Sequence, residues 1–317
     1  MSLLAFDLGG TKLAMAVFNE DGEILFHKIV ALQKRTGSEV AELITHSFRL
    51  ISIGARLAGN EIQSVGICVP GIYRSKTGTV WAPNIPGWED YPLLAEIKKV
   101  SGKIPVTIDN DRACYILGEV WKGNATKCND AIFLAVGTGI GAGILINGKV
   151  LRGSNDIAGA IGWLALRPPF KEQYMQCGCF EHYTSGEGIA KQAQQFLKEK
   201  KNYNGQLRNK SLKEVTCHDV FRAYENNDEI AIKVISNCIQ YWGMAAANLV
   251  SLFNPEKILF GGGVFGPAIP LIPKIKEEAT KWAQPISIQQ VCFEPAGLGT
   301  DAGVMGAGFL ALKNLHS

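Results

Sequence analysis

The chain has 317 residues, 47% hydrophobic and 19% charged, with a mean hydropathy of +0.07; this is globular composition with length for two buried cores, and it excludes disorder and a small stapled scaffold. Thirty-two Lys and Arg against 29 Asp and Glu leave a formal charge of +3, too little for the basic surface that nucleic acids or anionic membranes favour, so a small-molecule substrate is expected. Eight cysteines lie scattered in mostly apolar settings such as Gly66-Ile67-Cys68-Val69 and read as reduced cytoplasmic thiols, while the lack of an uncharged apolar run of ~18–20 residues points away from membrane insertion.

Residues 3–7, 13–18 and 24–30 are short apolar or alternating runs, separated by Gly9-Gly10 and by Asn19-Glu20-Asp21-Gly22. This pattern predicts a three-stranded meander. Helical spacing follows over 40–57, then a strand at 65–69 ending at Pro70-Gly71, a strand at 104–108, and a helix at 112–121 entered through Asp109-Asn110-Asp111, whose side chains can cap it. The pattern then starts again. Strands are expected at 131–136, 142–146 and 149–151, joined by the tight turn Gly137-Thr138-Gly139-Ile140-Gly141 and the hairpin signal Asn147-Gly148. Helices at 187–197 and 229–253, a strand at 257–260, a helix within 270–282 and a terminal helix near 302–312 complete an α/β alternation. The six Lys and Arg within 198–213 read as a solvated loop, because no aromatic platform accompanies them.

Three glycine turns and a carboxylate carry the chemistry. In Asp7-Leu8-Gly9-Gly10-Thr11-Lys12, glycines allow backbone N–H groups to approach a phosphate, Thr11 and Lys12 add donors, and Asp7 can orient Mg²⁺ through its water shell. Gly137-Thr138-Gly139-Ile140-Gly141-Ala142 fits the loose G-x-G-x-x-A pattern of a dinucleotide-binding dehydrogenase. That motif must open a helix, however, whereas the residues after it read as strand and hairpin, so a nicotinamide enzyme is not expected. Two glycine turns in equivalent places of two halves could instead grip one polyphosphate. Gly261-Gly262-Gly263 could let an adenine or ribose lie flat, or could serve close packing. Phosphoryl transfer also needs a carboxylate to take the acceptor's proton, and Asp111, just past the strand at 104–108, is the candidate; a capping role for Asp109 or Asp111 competes with it.

These segments, together with Asn84-Ile85-Pro86-Gly87-Trp88, Gly178-Cys179-Phe180-Glu181, Ser185-Gly186 and Gly299-Thr300-Asp301-Ala302-Gly303, resemble the ROK family of sugar kinases and sugar-sensing repressors over almost the whole chain. The resemblance implies a two-lobed actin-like/hexokinase (RNase H-like) ATPase fold with duplicated ββ-hairpin-containing halves. The lobes are expected at residues 1–117 plus 298–317 and at 118–297. It implies an ATP-dependent carbohydrate kinase that phosphorylates a hexose hydroxyl, by analogy O6, and that works as a homodimer. Asp111 would be the base. Gly71, Asn84, Asn110, Asp111 and Glu181 would bind sugar, and Asp7, Gly9, Gly10, Thr11, Lys12, Gly137, Thr138, Gly139, Gly141, Gly261, Gly262 and Gly263 would hold ATP and Mg²⁺.

Two departures stand out. Where kinases of this family for glucose-like sugars usually show Gly-Glu-x-Gly-His, this chain has Gly159-Ala160-Ile161-Gly162-Trp163, which loses a Glu and a His. The structural zinc that the resemblance implies would take that His and three cysteines, but the positions hold Trp163, Glu172, Tyr174 and Cys179, with Cys177 added; a bound zinc is not expected. The sugar's C1–C2 edge would then be open or apolar, which suits a β-glucoside, a disaccharide or another C1/C2-modified hexose. A non-catalytic sugar sensor of the same fold is the competing expectation. Family repressors carry an N-terminal DNA-binding segment, and this chain enters its first strand within a few residues, so no such segment is expected.

Overall fold

The computed structural model describes residues 2–315. The chain divides into two compact units. The first holds the described residues up to Lys127, Val150–Ala158 and the chain from Gly297; the second holds Cys128–Lys149 and Gly159–Ala296.

In the first unit the elements are β1 (Ser2–Leu8), β2 (Lys12–Phe18), β3 (Ile24–Ala31), α1 (Gly37–Leu57), β4 (Ile62–Val69), the small hairpin β5 (Ile72–Arg74) and β6 (Thr79–Trp81), α2 (Leu93–Ser101), β7 (Val106–Asn110) and α3 (Asp111–Lys122). A C-terminal helix, Ala302–Leu315, completes it. Its sheet runs β3-β2-β1-β4-β7, antiparallel through β3, β2 and β1 and parallel from β1 through β4 to β7. The two-residue alternation of β1 decides how the faces are covered. Leu4, Phe6 and Leu8 point to one side and pack with Val40, Ile44 and Phe48 of α1 and with Leu93 and Ile97 of α2. Leu3 and Ala5 point to the other side, toward Cys114 and Leu117 of α3 and Val304, Ala307 and Leu310 of the C-terminal helix. That helix comes very close to α3, since a Cβ on Gly306 would collide with the Cys114 carbonyl. Its small-residue face is a condition of the packing.

The second unit contains β8 (Ala131–Val136), β9 (Ile140–Ile146), the start of the edge strand β10 (Lys149–Val150), α4 (Cys179–Thr184), α5 (Gly186–Glu199), α6 (Cys217–Glu225), α7 (Glu229–Phe253), β11 (Lys257–Gly261), α8 (Ile272–Thr280), α9 (Ser287–Gln290) and β12 (Cys292–Pro295). Its sheet runs β10-β9-β8-β11-β12. With β8 antiparallel to β9 and parallel to β11, which is parallel to β12, it repeats the first sheet's order and directions. The duplication expected from the two meanders therefore extends to the whole sheet. Asp228 caps α7, accepting the Ile230 and Ala231 N–H groups at 3.0 Å each. The basic segment 198–213 leaves the end of α5 as a loop with two short 3-10 turns and has internal anchors. Buried Tyr203 donates to Asp228 and accepts the Leu207 N–H at 3.2 Å, and Arg208 donates to the carbonyls of Leu197 and Lys200 at the end of α5. Among the described residues no helix is long and apolar enough to cross a membrane.

Candidate functional site

In the first unit, β1, β4 and β7 are neighbouring parallel strands whose carboxyl ends share one edge of the sheet, the edge at which ligands of such sheets bind. Asp7 and the Gly9–Lys12 turn, Gly71, and Asn110 with Asp111 all fall there. The turn is closed by Gly9 N–H to Lys12 O at 2.9 Å, and Gly10, Thr11 and Lys12 face solvent. Asn84 lies beside it. Ile85 and Trp88 are buried, and the Trp88 indole N–H bonds Gly37 O at 2.9 Å; this pins the short turn that leaves Asn84 exposed, with its Cβ 3.4 Å from where a Cβ on Gly10 would be.

Tertiary contacts settle how the three residues at the start of α3 divide their roles. Asp109 is buried and paired with Arg152, and its Oδ1 accepts the Asn110 N–H at 2.9 Å. Asn110 is the helix cap, accepting the Ala113 N–H at 3.0 Å, and its amide reaches Asp109 at 3.3 Å. Capping thus falls to Asn110 and leaves Asp111 available. One Asp111 oxygen accepts the Arg112 N–H at 2.8 Å and lies 3.9 Å from the Arg112 guanidinium. Although 31% of its side-chain surface is open, the protein packed around the carboxyl pushes its pKa up to about 6, with Arg112 pulling the other way.

Asp7 is also raised, by burial first and in part by Asp301, with Lys12 and the neighbouring Cys68 thiol opposing. The charge of Asp7 in turn raises the proton affinity of Asp111. Among the described residues no three His, Cys, Asp or Glu side chains come together where they could ligate a metal ion directly, so a divalent cation at these carboxylates would be held through its water shell, and its charge would relieve the repulsion between them. Asp301 and Arg152 escaped the reading of the sequence. Asp301 sits in the segment read only as the closing helix, and Arg152 acquires its role from a partner 43 positions away.

The second unit gathers glycine turns and one carboxylate. The Gly137–Gly141 turn closes through Gly137 N–H to Gly139 O at 2.9 Å, and Thr138 and Gly139 are exposed. Gly137 also accepts the Gly186 N–H from the start of α5, at 2.8 Å. Gly261 ends β11 beside β8. Gly262, at φ +88°, has no room for a side chain, because its Cβ would lie 2.5 Å from Val136 O, whereas Gly263 faces open space. Backbone N–H groups without side chains are what a polyphosphate requires. Glu181 on α4 joins this set. Its Oε2 accepts the Ile140 N–H at 2.6 Å, Gly139 and Gly162 lie against it, and burial raises its pKa. One of its oxygens is thereby committed to the turn. Trp163 is 57% exposed and is not a core residue.

The chain is 34% identical to a glucokinase of Halalkalibacterium halodurans over 98% of its own length and 95% of that protein's. A ROK family glucokinase from Streptomyces griseus, solved with glucose and AMPPNP, matches 99% of the chain and 100% of its own with TM-score 0.75 and 27% identity. A ROK family transcriptional regulator, homologous to the E. coli MLC protein, matches 99% of the chain and 78% of its own with TM-score 0.87 and 25% identity. The model of the ROK family matches residues 3–314, and the chain belongs to that family.

Proposed function

We propose that the chain is an ATP-dependent carbohydrate kinase that transfers the γ-phosphoryl group to a hydroxyl, by analogy O6, of a hexose or hexose derivative. The observation that carries this is the Asp111 carboxyl. It is released from capping by Asn110, stands at the carboxyl end of β7, and has a pKa of about 6. Such a group is ionised at neutral pH yet basic enough to accept the acceptor hydroxyl's proton as the oxygen attacks phosphorus. Asp7 would hold Mg²⁺ through water, and the cation would neutralise phosphate charge when bound. The N–H groups of the Gly9–Lys12 and Gly137–Gly141 turns would cradle the phosphates, with Gly261–Gly263 beside the nucleoside. Gly71, Asn84, Asn110 and the second oxygen of Glu181 would meet sugar hydroxyls, Asn110 through its amide because its oxygen is committed to the cap.

The acceptor is a hexose altered at C1 or C2. Ala160 offers no polar atom, and Trp163 presents an exposed ring next to Gly162, against which Glu181 rests. An exposed indole suits the apolar face of a glycoside or second sugar ring. ADP release, measured with and without Mg²⁺ over glucose, N-acetyl sugars, fructose and β-glucosides, tests both parts. No Mg²⁺-dependent turnover on any sugar refutes the kinase, and a strong preference for a free C1 hydroxyl refutes the acceptor. The regulator's likeness favours a second possibility, a sugar sensor; it predicts saturable sugar binding without ADP release. The scattered free thiols support a cytoplasmic location and the family resemblance a homodimer, and sedimentation at working concentration tests the dimer.

A further inference from the structure

The implied zinc does not fit the residues that would hold it. Trp163 has no ligating atom and the buried Tyr174 hydroxyl is engaged with another tyrosine; Glu172, Cys179 and the added Cys177 keep donors of the right kind, but among the described residues no three His, Cys, Asp or Glu side chains come together where they could hold a metal ion. His182 lies edge-on to the Tyr174 and Tyr183 rings, at 5.5 and 4.9 Å, inside an aromatic cluster.

That cluster joins the segment around Tyr174 to α4, as a metal held at positions 174 and 179 would, and reaches on to α5 and α7. Tyr174 Oη lies 2.8 Å from Tyr183 Oη, which accepts from Lys171 Nζ at 3.2 Å. The Tyr183 ring stacks on Tyr241 of α7 at 4.8 Å, and the Tyr241 hydroxyl accepts from Arg167 at 3.4 Å. The Tyr183 carbonyl accepts from Gln192 of α5 at 2.7 Å. Segment 167–174, α4, α5 and α7 are thereby tied together. Downstream of Tyr174, Gly178 packs directly on Gly162. Tyr183 lies two residues beyond Glu181 on the short α4, whose six residues could not hold an orientation alone.

We infer that Tyr174, Tyr183 and Tyr241, with Lys171 and Arg167, form a metal-free clasp that takes the place of zinc and positions Glu181 toward the sugar. The positioning part rests on Glu181 being a sugar ligand. Tyr174 and Tyr183 are positioning residues, remote from the phosphoryl transfer itself.

The experiment measures unfolding midpoint and the KM values for sugar and ATP on the full chain, before and after 1,10-phenanthroline, and for Tyr174→Phe, Tyr183→Phe, their double variant and Glu181→Gln. Chelator should leave the midpoint and both KM values of the parent unchanged, and a fall in either midpoint or affinity overturns the metal-free clasp. Tyr174→Phe removes one hydroxyl and keeps the ring, and should raise the sugar KM about 3–10-fold, the range of one lost hydrogen bond. The ATP KM should stay within about twofold. The double variant should be no worse than about the worse single one, because both remove the same bond. A lower midpoint with unchanged sugar KM overturns the positioning role. Glu181→Gln separates the premises. If it leaves the sugar KM unchanged, Glu181 is not a ligand and positioning falls with it, while the chelator and midpoint results still decide the clasp.

Discussion

Replacing Asp111 with Asn should abolish turnover and at the same time stabilise the protein at neutral pH. The carboxyl's pKa goes from 3.8 to about 6 on folding, chiefly through burial. An acid whose folded pKa is raised binds its proton more tightly in the native state, so native stability is highest below 3.8 and is lost as pH climbs toward 6. About two pKa units correspond to about 3 kcal/mol at most, which partial exposure of the side chain reduces to about 1–3 kcal/mol. The amide of Asp111→Asn has no charge to bury, and its carbonyl oxygen could still accept the Arg112 N–H that Oδ1 takes at 2.8 Å. Urea unfolding of parent and variant should therefore give a more stable variant at pH 7 and nearly equal stabilities at pH 4.

Kinetics supply the other half of that test. Loss of a general base costs about 10²–10⁴-fold in kcat. In the parent, activity should fall on the acid side with an apparent pKa near 6, leaving about a tenth of the base ionised one unit below it. ADP release at saturating sugar and ATP measures both. An acid limb well below pH 5, or a variant less stable than the parent at pH 7, would show that the carboxyl is not held in the environment described. Retention of turnover by the variant would remove Asp111 from the chemistry.

Three further outcomes follow from the same geometry. Arg152→Ala should destabilise by about 3–5 kcal/mol in denaturant melts, because it strands the buried Asp109 carboxylate, and adding Asp109→Asn should recover much of the loss. Glu119 is fully buried and accepts the N–H groups of Asn124, Gly297 and Leu298 at 2.8, 3.1 and 2.9 Å; Glu119→Gln turns an amide NH₂ toward those donors and should cost about 1–3 kcal/mol. Gly262→Ala places a Cβ at φ +88° against the Val136 carbonyl, so it should weaken nucleotide binding by calorimetry and cost about 1–3 kcal/mol in stability.

Elements fixed by local pattern were legible in the sequence. The spacing places β8 at 131–136 and α7 at 229–253, where the structure has Ala131–Val136 and Glu229–Phe253, because a continuous apolar run between turn signals and a capped helical face declare themselves within a few residues. Elements made by distant pairing were not. Cys292–Pro295 has no alternation to show and is a strand only because β11 offers it a parallel ladder. The three-residue strands β5 and β6 are likewise too short to carry a period. The same boundary runs through the candidate site. The position of Asp111 past a strand end was readable, but whether Asp109, Asn110 or Asp111 caps α3 was not, since it depends on Arg152 occupying Asp109. So too for Glu181: nothing near it in sequence announces that Ile140 takes one of its oxygens.

The duplication also bears on why, in the proposed reading, each unit would carry a different part of the chemistry. In the first sheet, Asp7 pairs with Cys68 and Cys68 with Asp109, a row with carboxylates on two of three strands. Asp7 stands one residue before the last pair of its hairpin, Leu8 with Leu13, and Ala135 stands in the same place before Val136 with Ile140. Ala135 pairs with Gly261, and the next strand continues into Ala296, whose N–H reaches Phe260 O at 2.9 Å. The acidic row of one sheet is thus a row of alanine and glycine in the other. Carboxylates retained in both would double the negative charge set against one triphosphate, with a single cation to offset it. With that row acidic in one copy only, the proposed reading has the first unit hold a cation and take a proton while the second would offer bare N–H groups to phosphate oxygens. On this basis Ala135→Asp should leave Asp111 and its pH limb intact yet raise the ATP KM at least about tenfold, the effect of ~1.4 kcal/mol of added repulsion. An unchanged ATP KM would mean that the neutrality of the second row has no bearing on the nucleotide.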